Sequence, residues 1–239
     1  MITEAMKELL FPRRCPVCDD VLRIGGELIC EKCIGKPRKI EEPVCLKCGK
    51  PLEEEKEYCE DCVVHNRSFQ CGRSLFVYDE GMRQSISYFK YRGRREYAWY
   101  YGRELARRYG EWLEQIKPEG IIPVPLHAKR LKKRGYNQAE LVAEVLGTCC
   151  HIPVFKNILF REKNTTALKN LNAKERRENL DGAFPVSDAF EVLSEKPKCV
   201  ILLDDIYTTG STIDCCSKVL CRVGVQKIYF LCVCTGQGY

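Results

Sequence analysis

Two adjacent carboxylates, Asp204 and Asp205, stand just ahead of a hydroxyl-rich run, Thr208-Thr209-Gly210-Ser211-Thr212. Before them lie Val200-Ile201-Leu202-Leu203, an apolar run that reads as a strand buried on both faces, as in a parallel sheet. After them a helical pattern begins, with Ile213, Val219 and Leu220 on its apolar face. A strand that ends in a small hydroxylated turn and opens a helix offers unpaired backbone N–H groups and the positive end of the helix dipole to an anion. Gly210 lets the backbone approach that anion closely. The two carboxylates would repel an anion, so they suit hydroxyl groups or a metal ion beside it. A phosphate, a diol and Mg²⁺ held together at a strand's carboxyl end describe a phosphorylated sugar. An ordinary capped strand–helix turn does not account for a bare Asp-Asp pair, which needs compensation. No Walker-type phosphate loop is present, which excludes that class of nucleotide triphosphatase.

The second chemical feature is a set of cysteine pairs: Cys15 and Cys18, Cys30 and Cys33, Cys45 and Cys48, Cys59 and Cys62. Two thiolates separated by two residues clasp one tetrahedral Zn²⁺ from a single knuckle, and two knuckles close a four-cysteine site. Four pairs imply two closed, structural zinc sites; iron–sulfur clusters are the rival occupants. Disulfides would need an oxidising compartment, and Met1 to Leu10 carries Glu4, Lys7 and Glu8 with no apolar core of a secretory leader. Two pairings are open. Sequential pairing joins the first four cysteines and the last four, and crossed pairing interleaves them. The repeated knuckle–hairpin–knuckle plan, punctuated by Pro43, favours the sequential one. Cys199, Cys232 and Cys234 lie in or beside apolar strands and read as small buried hydrophobes.

The elements that must position these groups follow from periodicity. A chain of 239 residues accommodates a small module and one domain with a proper core. Residues 1–66 form the metal module and residues 70–239 an α/β domain. Strands are expected at Ser74–Tyr78, Ile121–Pro125, within Val154–Phe160, at the motif and at Lys227–Cys234. Helices are expected at Gly81–Tyr91, from about Arg95 to Ile116, from Asn137 as N-cap through Leu146, and briefly at Ser187–Ser194. Alternating strands and helices mean a mainly parallel sheet, whose ligands sit beyond the strands' carboxyl ends. The basic stretch Leu126–Tyr136 reads as a loop lining that same crevice. Tyr97, Tyr100, Tyr101, Tyr109 and Trp112 read as a packing face of the long helix. No apolar run spans a bilayer, and with reduced cysteines the expected location is cytoplasmic, without membrane insertion. The net charge of +6 is unevenly spread. Residues 83–134 hold 14 Lys/Arg against 5 Asp/Glu, and residues 1–65 hold 11 against 14. Two occupied four-cysteine sites would each add about −2, so the positive field belongs to the second domain.

The Val200–Thr212 stretch resembles the phosphoribosyl pyrophosphate (PRPP) motif of type I phosphoribosyltransferases, with Tyr207 standing where an aliphatic residue is usual. Pro123-Val124-Pro125-Leu126-His127-Ala128-Lys129-Arg130-Leu131 with Arg134-Gly135-Tyr136-Asn137-Gln138 is similar to the pyrophosphate-loop region of the ComF/GntX branch. Arg161 through Arg176-Arg177-x-Asn179-x-x-Gly182-Ala183-Phe184 is similar to its flexible loop, with Leu168 replacing a frequent Gln. The resemblance, metal module included, covers nearly the whole chain. It implies a type I phosphoribosyltransferase-like sheet preceded by a double zinc ribbon. It implies that Asp204 and Asp205 are the catalytic carboxylates, holding the ribose hydroxyls, and that Thr208, Thr209, Gly210, Ser211 and Thr212 wrap the 5′-phosphate. Leu126, His127, Lys129, Arg130, Arg161 and Arg176 become candidates for the pyrophosphate, with Mg²⁺ entering alongside PRPP. Phosphoribosyl transfer to an unidentified acceptor and a role in DNA uptake during transformation are the implied functions. Single-stranded DNA and proteins of the competence machinery are the implied partners. The alternative is a non-catalytic protein that handles single-stranded DNA or senses PRPP.

Overall fold

In a computed structural model of the chain, residues 12–162 and 183–236 are described. Four parallel strands form the sheet: β1 (Gly72–Val77), β2 (Gly120–Pro123), β3 (Cys199–Tyr207) and β4 (Lys227–Thr235), in the order β1-β4-β3-β2. β3 is central, and Val200 to Leu203 are fully buried, as an apolar run covered on both faces requires.

One face of the sheet is covered by α2 (Glu80–Tyr91), α3 (Tyr97–Ile116) and α5 (Gln138–Cys150). Asp79 caps α2 by accepting from the Met82 N–H at 2.9 Å, and Met82, Ile86 and Phe89 recur at helical spacing toward the core. The aromatics of α3 are packing residues, as expected: Tyr97, Tyr100 and Tyr101 are buried. Asn137 caps α5 through the Ala139 N–H at 3.2 Å, and the helix runs one turn beyond Leu146, ending at left-handed His151. The other face is covered by α7 (Ser211–Arg222), by Phe69, Phe184 and Phe190, and by Cys45 and Cys48. The short α6 (Asp188–Glu191) is capped by Ser187.

Two expectations change. The stretch Leu126–Tyr136 is not all loop: it contains α4 (Ala128–Arg134), closed by Gly135 with φ 78°. Within Val154–Phe160 no continuous strand forms. Val154 bridges Ile121 and Leu159 bridges Val186, and between them Asn157 turns left-handed at φ 58°, which breaks the extended run.

The cysteine-rich segment, with its short α1 (Glu60–Val64), is fastened to the α/β domain at several places. Asp19 receives two bonds from Arg94 (2.7 and 2.9 Å) and one from the Tyr97 hydroxyl (2.8 Å). Between the two cysteine groups, Lys39 bridges Phe76 antiparallel: Ile40 N–H donates to Leu75 O, and Val77 N–H to Arg38 O. The chain thereby covers the otherwise open edge of β1. At a third place Gly72 N–H donates to Lys47 O at 2.9 Å. There Gly49, at φ 68°, lies so close that a Cβ would sit 2.6 Å from the Gly72 carbonyl oxygen.

Candidate sugar-phosphate site and metal centres

Cys15, Cys18, Cys30 and Cys33 converge in one group, and Cys45, Cys48, Cys59 and Cys62 in another, each with sulfurs within 4.8 Å of one another. The pairing is sequential. Sulfur pairs at 3.6 Å (Cys18–Cys30 and Cys48–Cys59) match the ~3.8 Å edge of a tetrahedron built on Zn–S bonds of about 2.3 Å. Four crowded thiols also compete for protons. The Cys48 side chain pulls Cys45 far down, and the same contact pushes Cys48 up. A divalent cation resolves that competition, so the donor set fits zinc. All eight predicted ligands are brought together; the remaining nine cysteines form no disulfide among the described residues.

At the carboxyl end of β3, the strand runs past the carboxylates to Tyr207. Asp204 and Asp205 are therefore strand residues rather than the start of a loop. Pleating sends them to different neighbours. Asp205 Oδ2 lies 2.7 Å from Lys90 Nζ, at the end of α2, with both side chains largely buried. Asp204 lies within electrostatic reach of Lys90, Arg161 and Cys216, and its Oδ1 accepts the Asp205 N–H at 2.8 Å. Burial, then the charge of Asp205, pushes Asp204 up to about 7. Asp204 thus holds its proton more firmly than a free carboxyl, because it is buried beside a second carboxylate.

The turn after β3 has the form expected of an anion cradle. Gly210 is left-handed (φ 72°, ψ 0°), and α7 starts at Ser211, whose hydroxyl lies 2.9 Å from Thr209 Oγ1. A Cβ on Gly210 would meet the Tyr207 hydroxyl at 2.3 Å. Tyr207, unusual at this position, stacks on Phe230 (centroids 4.7 Å apart, 6° between planes) under Lys50 Nζ, 5.8 Å from its ring.

β2 neighbours β3, so the loop after β2 opens beside this turn: Val124 N–H donates to Leu203 O at 2.8 Å. Leu126 and His127 lie there. His127 caps α4, its Nδ1 accepting the Lys129 N–H at 3.2 Å. Lys129 is exposed, whereas Arg130 is half-buried and acts electrostatically on Arg161. Arg161 stacks over Phe184 at 5.2 Å, and its pKa is lowered by burial, then by Arg130. Of the expected cations, Arg161 acts electrostatically on Asp204, and Arg130 acts on Arg161. Arg176 and Leu168 lie outside the described residues.

The site contains two cations that the sequence reading missed. Lys90 is one of many basic residues in its segment, and Arg67 precedes β1. Arg67 Nη2 donates to Thr209 O at 2.8 Å across 142 residues of sequence. Neither has a local signature; only the tertiary structure brings them here. The cleft lined by Glu119, Phe155, Lys196 and Lys198 opens at the amino ends of the strands, away from the motif.

The chain thus joins an α/β domain, with a parallel sheet and a hydroxylated turn after β3, to two four-cysteine centres of double-zinc-ribbon form. Residues 6–63 match the family model described as a double zinc ribbon domain. The chain is 34% identical over 226 residues to Competence protein F of Haemophilus influenzae, covering 91% of this chain and 95% of that one. It belongs to the same family, the ComF proteins. It is also 29% identical to Competence protein ComFC of Bacillus subtilis (83% of this chain, 80% of that one). The DNA utilization protein YhgH of Escherichia coli strain K12 is 28% identical (95% and 98%).

Proposed function

We propose that the carboxyl end of β3 binds PRPP with Mg²⁺, and that the protein serves DNA uptake, as the names of its competence relatives indicate for them. The observation that carries the reading is the union, within one strand–turn–helix, of an electron-rich carboxyl pair and a left-handed glycine turn. Asp204 and Asp205 accept from the ribose hydroxyls. The N–H groups and hydroxyls from Thr208 to Thr212 surround the 5′-phosphate. Arg130 and Arg161, with Lys129 at the rim, face the pyrophosphate, whose departure from ribose C1 leaves an oxocarbenium-like centre for an acceptor nucleophile. Bound Mg²⁺ would neutralise charge on the leaving group. The protein's share is positioning and electrostatics. Calorimetry should detect Mg²⁺-dependent PRPP binding; absence of binding by the zinc-loaded chain would refute the reading. Pyrophosphate release in the presence of bases, nucleosides or single-stranded DNA then separates a transferase from a sensor.

A second reading, direct contact with single-stranded DNA, is favoured by arginines lying over tyrosines beside the same site. Arg92 lies over Tyr88 at 4.1 Å and Arg134 over Tyr91 at 4.9 Å. Tyr91 is 62% exposed. Such pairs combine phosphate attraction with surfaces on which bases stack.

A further inference from the structure

Arg67 lies five residues beyond Cys62, the last zinc ligand, and is only 8% exposed. Its Nη2 holds the Thr209 carbonyl at 2.8 Å, and its Nε has no hydrogen-bond partner among the described residues. Nor does it form an ion pair among them. A guanidinium buried without a carboxylate carries an uncompensated positive charge. Here that charge sits directly behind the turn after β3.

The hydrogen bond also has a geometric consequence. In a trans peptide the C=O and the following N–H point in opposite directions. Fixing the Thr209 carbonyl toward Arg67 aims the Gly210 N–H away from it, into the cradle. The same segment makes a second tie: Ser68 N–H donates to Asp214 Oδ1 at 2.8 Å, in the first turn of α7. The second zinc knuckle completes the support. Cys45 and Cys48 pack in the same core as Tyr207, with Lys50 Nζ over that ring.

We propose that Arg67 is a positioning residue for the phosphate, and that it couples the second zinc centre to ligand binding. The zinc ribbon is then a structural part of the anion site, not a separate appendage. This inference rests on the sugar-phosphate reading above. Coupling is reciprocal: a ligand that tightens the turn also tightens the segment that follows Cys62, and so slows loss of that zinc.

The test uses the full zinc-loaded chain and ribose 5-phosphate, which carries the phosphate and the diol without the pyrophosphate. Wild type, Arg67→Met and Arg67→Lys are compared by calorimetry, with circular dichroism reporting the fold. Arg67→Met should bind at least about tenfold more weakly, the loss expected for one hydrogen bond involving a charged group, and Arg67→Lys should recover part of it. In wild type, saturating ribose 5-phosphate should slow transfer of one of the two zinc ions to a colorimetric chelator several-fold and leave the other unchanged. This second measurement decides the matter by itself if Arg67→Met does not fold. An Arg67→Met protein that binds as wild type does, or zinc release indifferent to the ligand, overturns the coupling and leaves the sugar-phosphate site standing. No binding of ribose 5-phosphate by wild type overturns the site itself, and the coupling with it.

Discussion

Asp204 is the residue at which stability and function pull apart. Its folded-state pKa of about 7 lies above the ordinary carboxyl value of roughly 4. A group raised in this way costs nothing while protonated in both states. It withdraws stability as pH rises from about 4 to about 7, because the unfolded chain ionises first. Asp204→Asn should therefore raise Tm by a few degrees at pH 8 and leave it nearly unchanged at pH 4, as measured by thermal denaturation. Ligand binding has the opposite sign, since hydroxyl donors and Mg²⁺ both favour the ionised carboxylate. PRPP affinity should rise between pH 6 and pH 8 in wild type and rise less in Asp204→Asn, where only the ligand's own phosphates titrate. Equal pH profiles would show that Asp204 does not meet the ligand. At Asp205 the expected loss on change to Asn is about 10- to 100-fold in PRPP binding, the value of one charged hydrogen bond. That change also leaves Lys90 without its 2.7 Å partner. Gly210→Val should abolish binding, because φ 72° is strained for valine and its Cβ would strike the Tyr207 hydroxyl.

The elements that hold these residues share their supports. A cysteine-rich segment with few large apolar side chains depends on metal for its fold, and elemental analysis should find two zinc ions per chain. Taken alone, its composition would have it melt on chelation while the α/β domain survives. The contacts argue for a different result. Cys45 and Cys48 belong to the core beneath α7, Lys39 pairs with β1, and Asp19 binds α3 through Tyr97. Chelation is therefore expected to lower the melting temperature of the sheet domain as well. The measurement is near-ultraviolet circular dichroism of the aromatic-rich α3 during a thermal scan. A sheet transition unmoved by chelator would show that the two parts are energetically separate.

Across the whole molecule, charge and shape divide the work. Part of the Lys/Arg excess of residues 83–134 lies beside the candidate site, from Lys90 inside it to Arg92 and α4 outside. Affinity for a phosphate backbone follows the cations that displace its counterions. Arg94 is committed to Asp19, so removing it would disturb the ribbon contact rather than report on DNA. Arg92, Lys132 and Lys133 are exposed and serve better. Changing all three to Gln should weaken single-stranded DNA binding and reduce the slope of log affinity against log salt by up to about 2. A salt titration by fluorescence anisotropy reads both quantities. An unchanged slope would move the DNA surface elsewhere.

What the sequence by itself determined is whatever depends on neighbours along the chain. The four CxxC pairs name their metal chemistry through spacing alone. Val200 to Thr212 names a strand, a turn and a helix start because each depends on local backbone demands. Asn137 announces a helix start for the same reason. Tertiary structure decided everything that depends on partners distant in sequence. It chose sequential pairing of the cysteines, since equal spacing permits both closures. It brought Lys90 to Asp205 and Arg67 to Thr209, residues with no local mark of their purpose. It made a helix of Ala128–Arg134, whose seven residues include five cations and no apolar repeat, by closing it between His127 and Gly135. It also raised Asp204, because burial and the charge beside it exist only once the strand lies inside the sheet.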